Sequence, residues 1–137
     1  MGRFSMKMQL ANHVDVVMAS KGVIPADQVR RVEIDGVVDS GATRLVLPTK
    51  VAEQLGLPFL KKTGVRYADG RRDTRDVVGE VDVTLFDRNG VFRAALEPGR
   101  DDALIGAVVM EDFDLLIDCV SGTLRPRDPD MIISELE

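Results

Sequence analysis

Tryptophan is absent from this chain of 137 residues, and tyrosine, histidine and cysteine occur once each, as Tyr67, His13 and Cys119. A single cysteine forms no intrachain disulfide, which excludes a disulfide-stapled secreted scaffold. Cys119 lies in an apolar stretch and is expected as a small buried hydrophobe. His13 has no cysteine or second histidine near it, so no metal site is expected and a surface position is its default. No apolar run reaches the roughly 18 residues that a membrane-spanning helix needs. Lys7 sits too deep in the N-terminal segment for a signal h-region. Positive charge is also short: 18 Lys and Arg stand against 23 Asp and Glu, a net charge of −5. Nucleic-acid binders need a basic face to displace counterions from phosphates, so that class is disfavoured. The expectation is a soluble cytoplasmic protein without a nucleic-acid or membrane partner.

What is present is enough for one packed domain. Hydrophobic residues make up 45% and charged residues 30% of the chain, which excludes disorder throughout. With aromatics at 4%, the core has to be built from Val, Leu, Ile, Met and Ala. Valine-rich, period-two segments at 5–11, 14–19, 29–38, 77–86 and 91–96 read as strands. Turn signals separate them at Lys21-Gly22, Asp69-Gly70 and Arg88-Asn89-Gly90, and Asn89-Gly90 predicts a hairpin turn. Two short helices are expected. One covers Thr49 to Leu55, with Thr49 as N-cap and Gly56 as the stop; the other lies around residues 107–113. Each follows a short apolar segment, a faint internal duplication. The last residues, 128–137, read as a terminal strand or a frayed end.

The segment with chemical content is Val37-Val38-Asp39-Ser40-Gly41-Ala42-Thr43. Here an aspartate ends a strand that is apolar on both faces, a place that ionised carboxylates avoid unless paired or functional. Ser40 can bond to nearby backbone, and Gly41 allows close approach of another chain. A strand-ending Asx turn would account for the same residues without any chemistry.

Together with Leu45-Val46-Leu47-Pro48, this segment resembles the active-site loop of the retropepsin-like aspartic peptidases, single-domain relatives of the retroviral proteases. The family's second mark, two apolar residues and a glycine late in the chain, is matched by Leu104-Ile105-Gly106. The flap hairpin that lies between the two is matched by Tyr67-Ala68-Asp69-Gly70. The similarity runs from about residue 29 to residue 125 and is nearest to small stand-alone prokaryotic members. It implies a mainly β, closed acid-protease barrel over residues 1–137, with residues 1–28 and 126–137 as strands or dimer-contact segments. It also implies endopeptidase activity without a cofactor or metal, a homodimer, and a peptide or protein substrate. Asp39 would be the catalytic residue, supported by Ser40, Gly41, Ala42 and Thr43, with Tyr67, Ala68, Asp69 and Gly70 touching substrate.

The chain departs from the viral pattern at three places. Thr43 stands where an acidic residue is usual, and Ala107-Val108 stand where an Arg-Asn pair is usual. The flap carries Arg71, Arg72 and Arg75 in place of a glycine-rich apolar tip. A non-catalytic peptide-binding or dimerisation module with the same fold is the alternative reading. Arg71 and Arg75 also match an Arg-x-x-x-Arg pattern of some cyclic-dinucleotide-binding barrels. The Asx-x-Ser-x-x-Gly strand that follows in those domains is missing, which leaves a charged hairpin tip.

Overall fold

The period-two alternation becomes a closed sheet in the computed structural model, which describes residues 4–136. In chain order the elements are β1 (Phe4–Asn12), α1 (His13–Ser20), a 3-10 turn (Ala26–Gln28), β2 (Arg31–Val38), β3 (Leu45–Pro48), α2 (Thr49–Leu55), β4 (Phe59–Arg66), β5 (Arg72–Leu85), β6 (Arg88–Glu97), β7 (Ala103–Ile105), α3 (Ala107–Asp112), β8 (Leu115–Asp118) and β9 (Thr123–Pro126). Six strands form a ring in the order β1-β2-β7-β3-β6-β5, closed by pairing of β1 with β5, and β4 extends β5 beyond it. Closure leaves those strands no free edge, which suits a chain rich in β-branched residues. β8 and β9 form a separate two-stranded sheet.

The core is aliphatic, as the scarcity of aromatics requires. Met8, Leu10, Leu45, Leu47, Val81, Val83, Leu85 and Ile105 point inward from the ring and are almost fully buried. The helices cap the barrel with Val51 and Leu55 of α2 and Val109 of α3. Phe92 and Phe113 meet edge to face, ring centroids 5.5 Å apart.

Four expectations are corrected. Residues 14–19 form helix α1, not a strand, so there are three α-helices among the described residues. The side chain of Asn12 caps that helix by accepting from the Asp15 N–H at 3.0 Å. Buried Asp15 in turn binds Arg30 through Nε and Nη2, at 2.8 and 3.0 Å. A capped end and a long-range ion pair override the strand propensity of three valines. The hairpin turn between β5 and β6 falls at Phe86-Asp87, both with positive φ, not at Asn89-Gly90. Gly90 serves packing instead, since a Cβ there would come within 2.8 Å of the Phe113 ring. The cap of α2 is Pro48, which makes no side-chain bond, and Thr49 is already helical. Cys119, just past β8, is exposed.

Among the described residues of the tail no strand forms, and 128–133 are tied to the barrel. Buried Arg88 donates to the carbonyls of Phe113 and Asp114 on one side, and to those of Asp128 and Met131 on the other. Asp114 completes the clamp by accepting from the Ile133 N–H at 3.1 Å and from Arg127 Nε at 2.8 Å. Arg88→Met keeps the stem and removes every donor, stranding the buried Phe113 carbonyl and releasing the tail carbonyls. The expected loss is about 2–4 kcal/mol of unfolding free energy, read by urea titration, with cleavage by trypsin at Arg127 becoming faster. Unchanged stability and unchanged cleavage would refute the clamp.

Candidate functional site

Asp39 directly follows β2, and its N–H continues the ladder by donating to the Ile105 carbonyl at 3.1 Å. The chain then folds back on itself: the Gly41 N–H donates to Asp39 Oδ1 at 2.9 Å and the Ala42 N–H to the Asp39 carbonyl at 3.2 Å. The carboxylate is thereby held by its own loop as well as by the strand. Asp39 is half-buried, while Ser40, Gly41 and Thr43 are exposed. The site opens to solvent on one side and rests on the barrel on the other.

What fixes the loop from behind is Leu104-Ile105-Gly106. β7 inserts between β2, to which it is parallel, and β3, to which it is antiparallel. Beyond it, the Ala107 N–H donates to the Ala42 carbonyl at 2.8 Å and the Val108 N–H to the Thr43 carbonyl at 3.0 Å. At Gly106 a Cβ would lie 2.4 Å from the Arg44 carbonyl oxygen and 2.9 Å from that of Ala42. Only glycine lets the two segments approach this closely. The two motifs, more than 60 residues apart in sequence, thus form one backbone unit.

Tyr67-Ala68-Asp69-Gly70 forms the turn between β4 and β5. It is closed by the Tyr67 N–H donating to the Arg71 carbonyl and the Gly70 N–H to the Tyr67 carbonyl, both at 2.9 Å. Gly70 has φ +87°, open to glycine at little cost. The hairpin is anchored to β6 through Glu97, which the sequence did not single out. Glu97 accepts from the Tyr67 hydroxyl at 2.8 Å and from Arg75 Nε at 3.0 Å. Arg75 also pairs with Asp73 at 2.8 Å, and Arg71 lies over the Tyr67 ring, 4.3 Å from its centroid. Burial and the bond to Glu97 push the Tyr67 phenol above its ordinary value. Burial pushes the Glu97 carboxyl up, but the bonds from Arg75 and Tyr67 outweigh it and leave the group below the usual carboxylate range. No local signal marks Glu97, because its partners lie 22 and 30 residues away.

Register ties these parts to one surface. Val37, Leu104, Val46, Ala95 and Val77 are consecutive cross-strand partners from β2 to β5. They occupy the face of the sheet turned away from the core, since Val38, Ile105, Leu45, Leu47 and Ala94 take the inner one. Asp39 is two residues beyond Val37, Glu97 two beyond Ala95, and Arg75 two before Val77. Side chains two apart share a face. An apolar row therefore runs between Asp39 at one end and the Glu97, Arg75 and Tyr67 cluster at the other.

Other singled-out residues lie elsewhere. His13 begins α1 and is half-buried, its Nδ1 3.1 Å from Asp82 Oδ2, not simply a surface group. Two surface cavities, of about 220 and 470 Å³, are lined by β1, β2 and β5 in one case and by α3, β8 and the tail in the other; neither is lined by Asp39.

A family model described as aspartyl protease matches residues 21–109, which include both motifs and the hairpin. The fold is similar to that of EIAV protease complexed with the inhibitor HBY-793, with a TM-score of 0.55 and 15% identity, over 81% of this chain and 88% of that one. It is also similar to the retroviral protease-like domain of Ddi1 from Leishmania major, with a TM-score of 0.50 and 20% identity, over 70% of this chain and 76% of that one. No curated protein matches the sequence.

Gly106→Ala is expected to force the 42–44 carbonyls away, at a cost of about 1–3 kcal/mol for an overpacked site. The amides of Ala107 and Val108 should then exchange with solvent markedly faster. Parent-like exchange at both would mean the close approach does not hold the loop.

Proposed function

The chain belongs to the aspartyl protease family, and on that footing we propose that it is an aspartic endopeptidase of retropepsin type with Asp39 as its catalytic residue. The observation that carries the reading is the Asp39 carboxylate at a solvent-facing strand end, fixed at 2.9 Å by the Gly41 N–H. The brace of Leu104, Ile105 and Gly106 behind it keeps that geometry independent of substrate. Preorganisation of this kind is what a reacting group needs.

One carboxylate cannot both take a proton from water and deliver one to a carbonyl. The chain has a single Asp-Ser-Gly, so the second carboxylate comes from another copy across a two-fold axis. Two carboxylates about 3 Å apart cannot both ionise and therefore hold one proton between them; aspartic proteases are the standard instance of this effect. The ionised member takes a proton from water as the water oxygen attacks the peptide carbonyl carbon. The protonated member gives its proton to the carbonyl oxygen. The resulting tetrahedral diol collapses with cleavage of the C–N bond, and the amine leaves with a proton.

Placement supports roles for the remaining parts. Ser40, Ala42 and Thr43 shape the loop that meets the partner's loop. Tyr67 to Gly70 form the tip of a flap over the apolar row, where an extended peptide can lie between the two and seat alternate side chains on the row. The whole chain, residues 1–137, serves as one domain of the dimer.

Asp39→Asn preserves shape and removes the titratable proton, so peptide hydrolysis should fall to background with fold and dimer retained. Excess variant mixed with parent should suppress parental activity, because a mixed dimer holds one competent aspartate. Specific activity should fall on dilution below the dimer dissociation constant, and its pH profile should be bell-shaped with an acidic optimum. Hydrolysis that survives Asp39→Asn, or stays constant per chain in a demonstrably monomeric sample, would overturn the reading. Peptide binding without hydrolysis by the parent would leave a binding module.

A further inference from the structure

The cluster at the far end of the apolar row has a property that catalysis does not explain. Val77 and Ala95 are 0% and 5% exposed although they lie on the face away from the core. The neighbours on that face are Arg75 and Glu97, with the Tyr67 ring against the Arg75 guanidinium, 5.8 Å from the ring centroid. Arg75 belongs to β5, already paired with β6, so its contact with Glu97 adds little to the position of the hairpin. The Tyr67 hydroxyl is different. It belongs to the turn and reaches a carboxylate 30 residues away, on the barrel.

We propose that Glu97 is a positioning residue for substrate admission: through the Tyr67 hydroxyl it latches the β4–β5 hairpin down over the apolar row, and an incoming peptide has to displace Tyr67 from Glu97. The inference rests on the protease reading for what the row receives, but the latch itself does not depend on hydrolysis. The groups facing Glu97 are Arg75 and Asp73 on β5, Tyr67 and Arg71 at the turn, and Arg100 in the loop after β6. The Glu97 carboxyl is depressed, so its bonds are fully present above the ordinary carboxylate value and are lost as pH falls through the lower folded value. The latch therefore opens on the acid side.

Tyr67 is the sole tyrosine in a chain without tryptophan, so the ultraviolet emission of the protein comes from this one ring, and comparison with a Glu97 variant isolates the Glu97 contact. A carboxylate accepting from the phenol quenches that emission. In the full-length parent, emission should rise as pH falls below the carboxylate range. In Glu97→Gln it should be high at neutral pH and show no acid step. A decapeptide library free of Tyr and Trp, added to Asp39→Asn protein at neutral pH, should raise emission toward the Glu97→Gln level. In the otherwise unmodified enzyme, Glu97→Leu, which leaves the Tyr67 hydroxyl no acceptor, should lower KM for that library about two- to fivefold, the range expected for loss of one partly exposed polar contact.

The proposal is overturned by a flat parental titration, by an acid step that persists in Glu97→Gln, by peptides that leave emission unchanged, or by a KM that is unchanged or raised. Peptides cleaved without any change in Tyr67 emission would sink the latch and spare the protease. Emission displaced by peptides that are never cleaved would do the reverse.

Discussion

Gly106 sits against the carbonyls of Ala42 and Arg44, and that close approach decides where the Asp39 loop can be. β7 is only three residues long, too short to be placed by its own hydrogen bonds. It is placed by being gripped from both sides, with Val38 opposite Ile105 and Val46 opposite Leu104. Once it is there, Ala107 and Val108 begin α3 already bonded to the loop, and Val109 and Met110 turn into the core. The carboxylate geometry is thus inherited from core packing. A change in the barrel beneath β7 would be felt at Asp39 without touching it.

The same strands write two surfaces. On the inside, Leu45, Leu47, Ala94 and Ile105 fill the barrel. One residue along in each strand, Val46, Ala95 and Leu104 form the apolar row outside. Because side-chain direction alternates with period two, a one-residue slip of β3 would exchange the core for the row. The core therefore dictates the register that aligns the row with Asp39. The outer face needs no separate device to hold it in line.

The backbone unit of the Asp39 loop and its brace was legible because its constraints are local and chemical: an aspartate at a strand end, and a glycine where no side chain fits. The hairpin was legible from Asp69-Gly70, whose positive φ needs glycine. Helix α1 was misread because its three valines favour a strand locally, while Asp15 and Arg30 decide the matter from 15 residues apart. Its start did leave a trace, an asparagine three residues before an aspartate, in the pattern of a helix N-cap. Asn89-Gly90 misled for the opposite reason: Gly90 is needed for packing against Phe113 and the Asn89 side chain bonds across to β5, while Phe86-Asp87 took the turn. Glu97, Arg88 and the exposure of Cys119 depend on partners or surroundings that no nearby residue announces.

Closure of the ring also sets an order of events during folding. β1 can pair with β2 as soon as about 35 residues are in hand, since Met6 faces Gly36. Its other partner is far off: Gln9 lies opposite Thr84, and Gly36 waits for Ala103. Contacts across such separations are slow to form, because loop closure has to precede any gain from pairing. The β5–β6 hairpin and the β1–β2 pair are therefore expected to exist before the barrel does. Until β7 slides between β2 and β3, both of those strands present bare edges, and the newly made chain is most exposed to mispairing in that interval.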